Sequence, residues 1–96
     1  GQEMIRSFRG KQTEAVATGK PPKGFPATLV RSAQRKLAML NAAVELKDLR
    51  SPPGNMLEAL KGDRLGQHSI RINDQFRICF IWTEAGPQDV EIVDYH

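Results

Sequence analysis

The fold is decided by residues 57–96, which read LEALKGDRLGQHSIRINDQFRICFIWTEAGPQDVEIVDYH. Three runs in this stretch, at 67–73, 76–83 and 90–95, alternate in polarity with a two-residue period, which predicts half-buried β-strands. In the first run, one face carries His68, Ile70 and Ile72. In the second run it carries Phe76, Ile78, Phe80 and Trp82, and in the third it carries Val90, Ile92 and Asp94. The chain therefore ends in a small, mainly antiparallel sheet.

A tight hairpin is predicted between the first two runs, because residues 73–75 (NDQ) favour turns. When Ile72 pairs with Phe76, Arg71 lies opposite Arg77 across the ladder. Like charges in that position are destabilising by a few tenths to about 1 kcal/mol. The pair indicates either a face that binds an anion, or two guanidinium groups that extend into water or pair with nearby carboxylates.

The composition is that of a soluble globular domain. The chain of 96 residues is 40% hydrophobic and 26% charged, which excludes a disordered or fibrous protein. No apolar run approaches the ~18 residues of a membrane span, and no signal segment is recognisable. The single cysteine, Cys79, excludes an intramolecular disulfide and suits a reducing cytoplasm. We expect one cytoplasmic domain, residues 4–96, without membrane contact, and we expect residues 1–3 to be a remnant of expression cloning.

The basic residues are concentrated in the first part of the chain. Up to Lys36, eight Lys or Arg residues accompany two acidic residues, a net charge of +6. From Leu37 onward, six basic residues accompany nine acidic ones, a net charge of −3. The basic segment is typical of a surface that follows a polyanion such as nucleic acid, and equally of a solvated basic surface.

Two helices are predicted before the sheet. Residues 10–18 are expected to form a short helix, which Gly19 and the two prolines at 21–22 end. A longer helix begins near Pro26, a favourable first-turn residue, and ends near residues 45–49. Its apolar residues recur every three or four positions, which predicts one buried stripe. The stripe consists of Leu29, Val30, Ala33, Leu37, Leu40 and Val44.

The remaining segments are shorter. Residues 4–8 predict a short first strand, 51–55 an irregular connector, and 57–60 a docked irregular or strand-like segment. Residues 61–66 predict a glycine-flanked turn, and 84–88 the second hairpin loop. The expected fold class is α+β, with two N-terminal helices packed on one face of a small, mainly antiparallel sheet.

Three blocks of the sequence resemble a known protein family. They are LKGDR at 60–64, SIRINDQFRI at 69–78 and VDYH at 93–96. In this order, after two helices, they resemble the HigB-type toxins of the RelE/ParE superfamily, which belong to bacterial toxin–antitoxin modules. The resemblance extends over residues 4–96, and its most specific parts are the KGDR and DYH blocks together. It implies the RelE-like toxin fold.

The resemblance also implies a function and partners. HigB-type toxins are endoribonucleases that enter the ribosomal A site, cleave the mRNA there and stop translation. A cognate antitoxin, in this branch a HigA-like helix-turn-helix protein, holds the toxin inactive. The pair represses its own operon, so operator DNA is expected to be bound only through the antitoxin.

The catalytic residues that the resemblance implies are Asp94, Tyr95 and His96 at the C-terminus, together with Lys61 and Arg77. This chain departs from the family pattern three residues before the lysine. Some family members carry a catalytic histidine there, and this chain has a glutamate.

That glutamate, Glu58, is a candidate base, because a related branch of the superfamily uses one. Two milder departures are His68 and Phe76, at positions where tyrosine or tryptophan is more usual.

RNA cleavage through the 2′-hydroxyl requires a base for its proton, cations for the phosphorane charge and an acid for the leaving 5′-oxygen. It requires no metal ion or cofactor, and none is expected. The base is Glu58 or Asp94, and the acid is His96. The phosphate is expected to contact Arg77 and Lys61, other RNA contacts involve Arg71 and Arg64, and Tyr95 orients the phosphate or stacks on a base.

Four other interpretations stay open. Residues 94–96 are also typical of a frayed terminus, and Glu58 of a solvated loop. A ParE-like member of the superfamily would poison a topoisomerase by binding it. A catalytically inactive RNA-binding module would bind RNA with a steep salt dependence and never cut it.

Overall fold

A sheet of four antiparallel strands forms the centre of the computed structural model, which describes residues 4–95. The strands are β1 (Glu58–Ala59), β2 (His68–Arg71), β3 (Phe76–Thr83) and β4 (Gly86–Asp94), paired in that order. They are preceded by α1 (Lys11–Ala17) and α2 (Ala27–Ala42). Short 3₁₀ turns at Leu46–Arg50, Pro53–Asn55 and Gly62–Arg64 lie in the connections. The predicted α+β class is confirmed.

The core lies between the helices and one face of the sheet. Ile70, Ile78, Phe80 and Val90 point to the same side of the sheet and are fully buried against the helices. The helix side of this core consists of Val16, Leu29, Val30, Ala33, Leu37 and Leu40. Both predicted periods, two in the strands and about 3.6 in α2, therefore identify the buried faces correctly.

The apolar stripe of α2 ends earlier than predicted. Val44 was expected to continue it, but its side chain is 65% exposed, and Ala43 is buried in its place. Ala43 has extended dihedral angles, because the helix ends at Ala42. The Asp48 carboxylate accepts the backbone N–H groups of Val44 and Glu45, each at 3.0 Å, which directs the chain into the next 3₁₀ turn. The helical spacing no longer applies beyond that point.

The first hairpin has the predicted register, and the second is tighter than predicted. The Ile72 N–H donates to the Phe76 carbonyl at 2.9 Å. In the second hairpin, β4 begins at Gly86 and leaves a two-residue turn instead of a loop over 84–88. The Thr83 hydroxyl stabilises this turn, because it accepts the Ala85 N–H and donates to the Gly86 carbonyl.

The N-terminal segment lies beside β4, but the prediction of a strand over 4–8 is wrong. This segment forms one isolated parallel bridge, between Phe8 and Val90. A regular ladder does not develop, because Pro87 has no N–H and Asp89 is left-handed, with φ of 53°. The Asp89 N–H donates to the Ser7 hydroxyl instead of to a backbone carbonyl.

The connection between α2 and β2 contains the fourth strand. Residues 58–59 form β1 at the edge of the sheet, where Glu58 pairs with Ser69 and Ala59 with His68. The pairing is short because Leu60 turns inward and is buried, and the next residues form a 3₁₀ turn. Within residues 4–95, neither helix has the length and hydrophobicity to cross a lipid bilayer.

Candidate active site

The face of the sheet that points away from the helices carries a row of polar side chains. The row crosses all four strands and consists of Glu58, Ser69, Cys79 and Glu91. In the next row along the strands, Arg71 lies opposite Arg77, and Arg77 opposite Val93. Residues paired in this way share one face of a sheet, as do residues two apart in a strand. We call the surface formed by Glu58, Ser69, Arg71, Arg77, Cys79 and Glu91 the polar face.

Arg77 is held on this face by uncharged groups. Its Nε–H donates to the Ser69 hydroxyl at 2.8 Å, and its Nη2–H donates to the Met56 carbonyl at 2.7 Å. Two of the five N–H donors of the guanidinium are thus used. Within residues 4–95, no carboxylate lies within ion-pair distance of Arg77. A fixed positive charge therefore remains available to an anion.

The predicted juxtaposition of Arg71 and Arg77 is confirmed by the register of β2 and β3. Arg71 forms an ion pair with Asp74 in the hairpin turn, so one of the two guanidiniums has a carboxylate partner. Asp74 is 99% exposed, and an ion pair with such a partner contributes little to stability. An incoming phosphate can therefore replace this carboxylate at small cost.

Glu58 and Arg77 have Ser69 as a common neighbour. Glu58 lies on the exposed edge strand directly opposite Ser69, and the Ser69 hydroxyl accepts the Arg77 N–H. Side chains directly opposite each other in an antiparallel pair have Cβ atoms about 4.5–5.5 Å apart. The arrangement brings a carboxylate that can accept a proton close to a guanidinium that can bind a phosphate.

Arg64 and Lys61 differ in their surroundings. The Arg64 Nη1 donates to Glu91 at 3.2 Å and to Gln67 at 3.1 Å, and the side chains of the ion pair are 28% and 27% exposed. The charge of Arg64 is thus compensated, which favours a structural role over binding RNA. Lys61 is exposed directly before the 3₁₀ turn Gly62–Arg64, two residues beyond β1.

The C-terminal residues divide between the two sides of the sheet. Asp94 pairs with Phe76 and therefore points to the helix side, where it accepts a hydrogen bond from Gln75 at 3.2 Å. The Tyr95 N–H donates to the Gln75 carbonyl, so the alternation continues and places the Tyr95 ring on the side of Arg71. His96 lies outside the described residues. Of the predicted site, Glu58, Arg71, Arg77 and Tyr95 share one side.

Two residues in contact with Arg77, and a lysine that binds the residue before Met56, were missed by the sequence analysis. Ser69 looked like an ordinary polar residue of a strand, and Met56 contributes only its backbone carbonyl, for which no side-chain pattern exists. Lys36 donates to the buried Asn55, and burial lowers its pKa, with the positive charges of Arg35 and Arg71 acting in the same direction. In the sequence, its partial burial was indicated by its position directly before Leu37, a residue of the apolar stripe.

A concave region lies on the other side of the sheet. Its volume is about 400 Å³, and it is lined by Leu46, Lys47, Arg50, Leu57, Ala59 and His68. The His68 ring stacks on Phe80, with centroids 6.3 Å apart. The His68 Nδ1 is buried without a hydrogen-bond partner among residues 4–95. The sheet separates this region from Arg77.

No group of three or more His, Cys, Asp or Glu side chains within residues 4–95 is arranged to hold a metal ion. Cys79, at the centre of the polar face, is fully buried. Burial raises the pKa of its thiol. Arg64 and Arg77 oppose that shift, and Glu91 adds to it.

The Cys79 thiol is expected to be unreactive in the folded protein. Because a thiol reagent attacks the thiolate and needs access, iodoacetamide should alkylate native Cys79 at least about 10³-fold more slowly than the urea-unfolded protein. Mass spectrometry of timed samples measures both rates. Similar rates in the two states would contradict the buried position.

The amino-acid sequence is similar to those of several known proteins. The profile of a family described as the RelE-like toxin of type II toxin-antitoxin system HigB matches residues 7–96. Toxin HigB-1 of Vibrio cholerae serotype O1 is 44% identical over 83 residues, which are 85% of this chain and 87% of the relative. Endoribonuclease HigB of Proteus vulgaris is 30% identical over 93 residues, 97% of this chain and 100% of the relative. An uncharacterized protein of Haemophilus influenzae is 42% identical over 56 residues, which are 58% of this chain and 55% of the relative. The chain therefore belongs to the HigB family of RelE-like toxins of type II toxin–antitoxin systems.

Proposed function

We propose that this toxin is an endoribonuclease that cleaves mRNA in the ribosomal A site and thereby stops translation. The observation that carries the proposal is the guanidinium of Arg77, held on the polar face beside Glu58 without a carboxylate partner among residues 4–95. Membership of the HigB family, and the name Endoribonuclease HigB of the Proteus vulgaris relative, support it.

The proposed reaction uses the nucleophile that RNA carries. Glu58 accepts the proton of the 2′-hydroxyl, and the 2′-oxygen forms a bond to phosphorus. Arg77 donates hydrogen bonds to the non-bridging oxygens as their negative charge increases. The bond to the 5′-oxygen breaks, and His96 supplies the proton that this oxygen takes. The products are a 2′,3′-cyclic phosphate and a 5′-hydroxyl, and no step uses a metal ion.

The geometry favours Glu58 over Asp94 as the base, because Asp94 points to the helix side of the sheet. Lys61 adds positive charge beside β1, and Arg71 binds a neighbouring phosphate after releasing Asp74. Tyr95 lies on the same side and offers a ring on which any base can stack. Because Arg64 keeps its ion pair with Glu91, we do not propose it as an RNA contact.

The family also supports a set of partners. A toxin of a type II module has an antitoxin. We propose that here it is a HigA-like helix-turn-helix protein, through which the toxin reaches operator DNA. The ribosome and its mRNA are the proposed targets, and the bacterial cytoplasm is the proposed compartment.

Cleavage is expected only when the mRNA is engaged by ribosomes. Primer extension on one mRNA in a reconstituted translation system, with and without ribosomes, measures the position and amount of the cuts. Cuts should appear at codons in the A site and be absent from free mRNA. His96→Ala should reduce them by about 10²-fold, since a positioned acid contributes about 10²- to 10⁴-fold.

Glu84→Ala is the control, because Glu84 is exposed in the turn between β3 and β4, at the other end of β3 from Arg77, and its variant should cut like the parent protein. Cuts in free mRNA would overturn the ribosome dependence. Full activity of His96→Ala would overturn the assignment of the acid. If the folded parent protein makes no cut, the endoribonuclease proposal fails, and inhibition of a purified topoisomerase becomes the next assay.

A further inference from the structure

Arg77 has a restricted orientation as well as an available charge. A guanidinium is planar, and its donors form a rigid fork, so fixing two of them fixes the directions of the others. The bond from Nε to Ser69 is 2.8 Å long and the bond from Nη2 to Met56 is 2.7 Å long. Both acceptors are neutral, so they orient the side chain without compensating its charge.

The Ser69 hydroxyl is fully buried at the centre of the polar face. Within residues 4–95, its one hydrogen-bond partner is the Arg77 Nε–H. A buried hydroxyl is normally hydrogen-bonded, and here Arg77 satisfies that requirement. The two side chains are diagonal neighbours on β2 and β3, because Ser69 pairs with Cys79 and Arg77 with Arg71.

The Met56 carbonyl is placed by the connector that precedes β1. Met56 has φ of 46° and ψ of 54°, the left-handed region that is unfavourable for a non-glycine residue. Asn55 before it is fully buried, and its Nδ2 donates to the carbonyls of Leu49 at 3.1 Å and Ser51 at 3.3 Å. Its Oδ1 accepts a hydrogen bond from Lys36 of α2.

The Met56 side chain is 58% exposed, so packing of that side chain does not explain the strained backbone. The strain instead coincides with the carbonyl that binds Arg77. The connector is thus anchored on the helix side through Asn55, and it presents a backbone acceptor on the polar face.

We propose that Ser69 and the Met56 carbonyl are positioning groups that set the plane of the Arg77 guanidinium, so that its unused N–H donors face the scissile phosphate. This inference rests on the proposed function, because it assigns the phosphate to Arg77. Donors oriented in advance stabilise developing charge without reorganisation, and a misplacement of about 1 Å can reduce a rate by about 10²-fold.

The first test compares the kinetics of Ser69→Ala with two other variants. Ser69→Ala is expected to lower kcat for ribosome-bound mRNA by about 10-fold, with KM within about twofold, because the charge remains and only its orientation is lost. Ser69→Thr keeps the hydroxyl and is expected to restore most of the activity. Arg77→Ala removes the donors and should lower kcat by about 10²- to 10³-fold.

Thr13→Val is the matched control. Thr13 is also buried, and its hydroxyl accepts one hydrogen bond, from the Ile92 N–H of β4 at 3.0 Å, whereas the hydrogen bonds of Arg77 go to Ser69 and Met56. A purely structural role of Ser69 predicts the same behaviour for Ser69→Ala and Thr13→Val. Our inference predicts unchanged kcat for Thr13→Val and reduced kcat for Ser69→Ala alone.

The second test does not depend on cleavage. Nitrogen-15 NMR detects the Arg77 Nε–H, which is assigned by its absence in Arg77→Lys. Its exchange with water should be slow in the parent protein and in Thr13→Val, and fast in Ser69→Ala. Unchanged exchange in Ser69→Ala would overturn the positioning role whether or not the protein cuts RNA. Changed exchange together with unchanged kcat would overturn it as well, while leaving the proposed function intact.

Discussion

Replacing Glu58 with glutamine should lower the rate of mRNA cleavage by about 10²- to 10⁴-fold, the contribution typical of a positioned general base. Glutamine has the size and shape of glutamate but cannot accept the proton of the 2′-hydroxyl. Glu58 is exposed on the two-residue edge strand, so the free energy of unfolding should change by less than about 0.5 kcal/mol. Single-turnover cleavage of ribosome-bound mRNA measures the rate.

Asp94→Asn is the matched control for Glu58→Gln, since it makes the same kind of change at the other candidate base. Asp94 points to the helix side of the sheet, so its variant should retain a rate within a few-fold of the parent protein. The opposite result, an active Glu58→Gln and an inactive Asp94→Asn, would contradict our assignment. It would also mean that the end of β4 rearranges when RNA binds.

Phe80→Ala should lower the free energy of unfolding by about 3–5 kcal/mol, the usual cost of removing a fully buried phenylalanine. The ring packs between the sheet and the helices, and the cavity left behind cannot be filled by its neighbours without moving β3. A domain of this length has a total stability of roughly 5–14 kcal/mol. The loss is therefore a large part of the total, and urea unfolding monitored by circular dichroism should detect it.

Leu65→Ala is the control for Phe80→Ala. Leu65 is 79% exposed, and truncating it should change the stability by less than about 0.5 kcal/mol. If Phe80→Ala lowered the free energy of unfolding by less than about 1 kcal/mol, the neighbouring core residues would have moved to fill the cavity. Equal losses for the two variants would contradict the position of Phe80 in the core.

The candidate site was partly predictable because a β-strand has a strict two-residue period. Once Arg71 and Arg77 were placed on facing strands, their side chains had to share a face. The same period puts Asp94 with Val90 and Ile92, hence on the core side, although its place in a terminal Asp-Tyr-His block suggested a catalytic role. This alternation determines which of the predicted site residues lie on the polar face.

The sequence by itself determined the α+β class, the buried stripe of α2 and the register of the first hairpin. Each of these depends on a local period or a turn signal that acts within a few residues. Only the tertiary structure decided that Glu58 pairs with Ser69 at the edge of the sheet and that Ser69 binds Arg77. It also decided that the Met56 carbonyl reaches the same guanidinium, across 21 positions of the chain. Hydrogen bonds between distant segments depend on packing and backbone direction, which leave no periodic trace in the sequence.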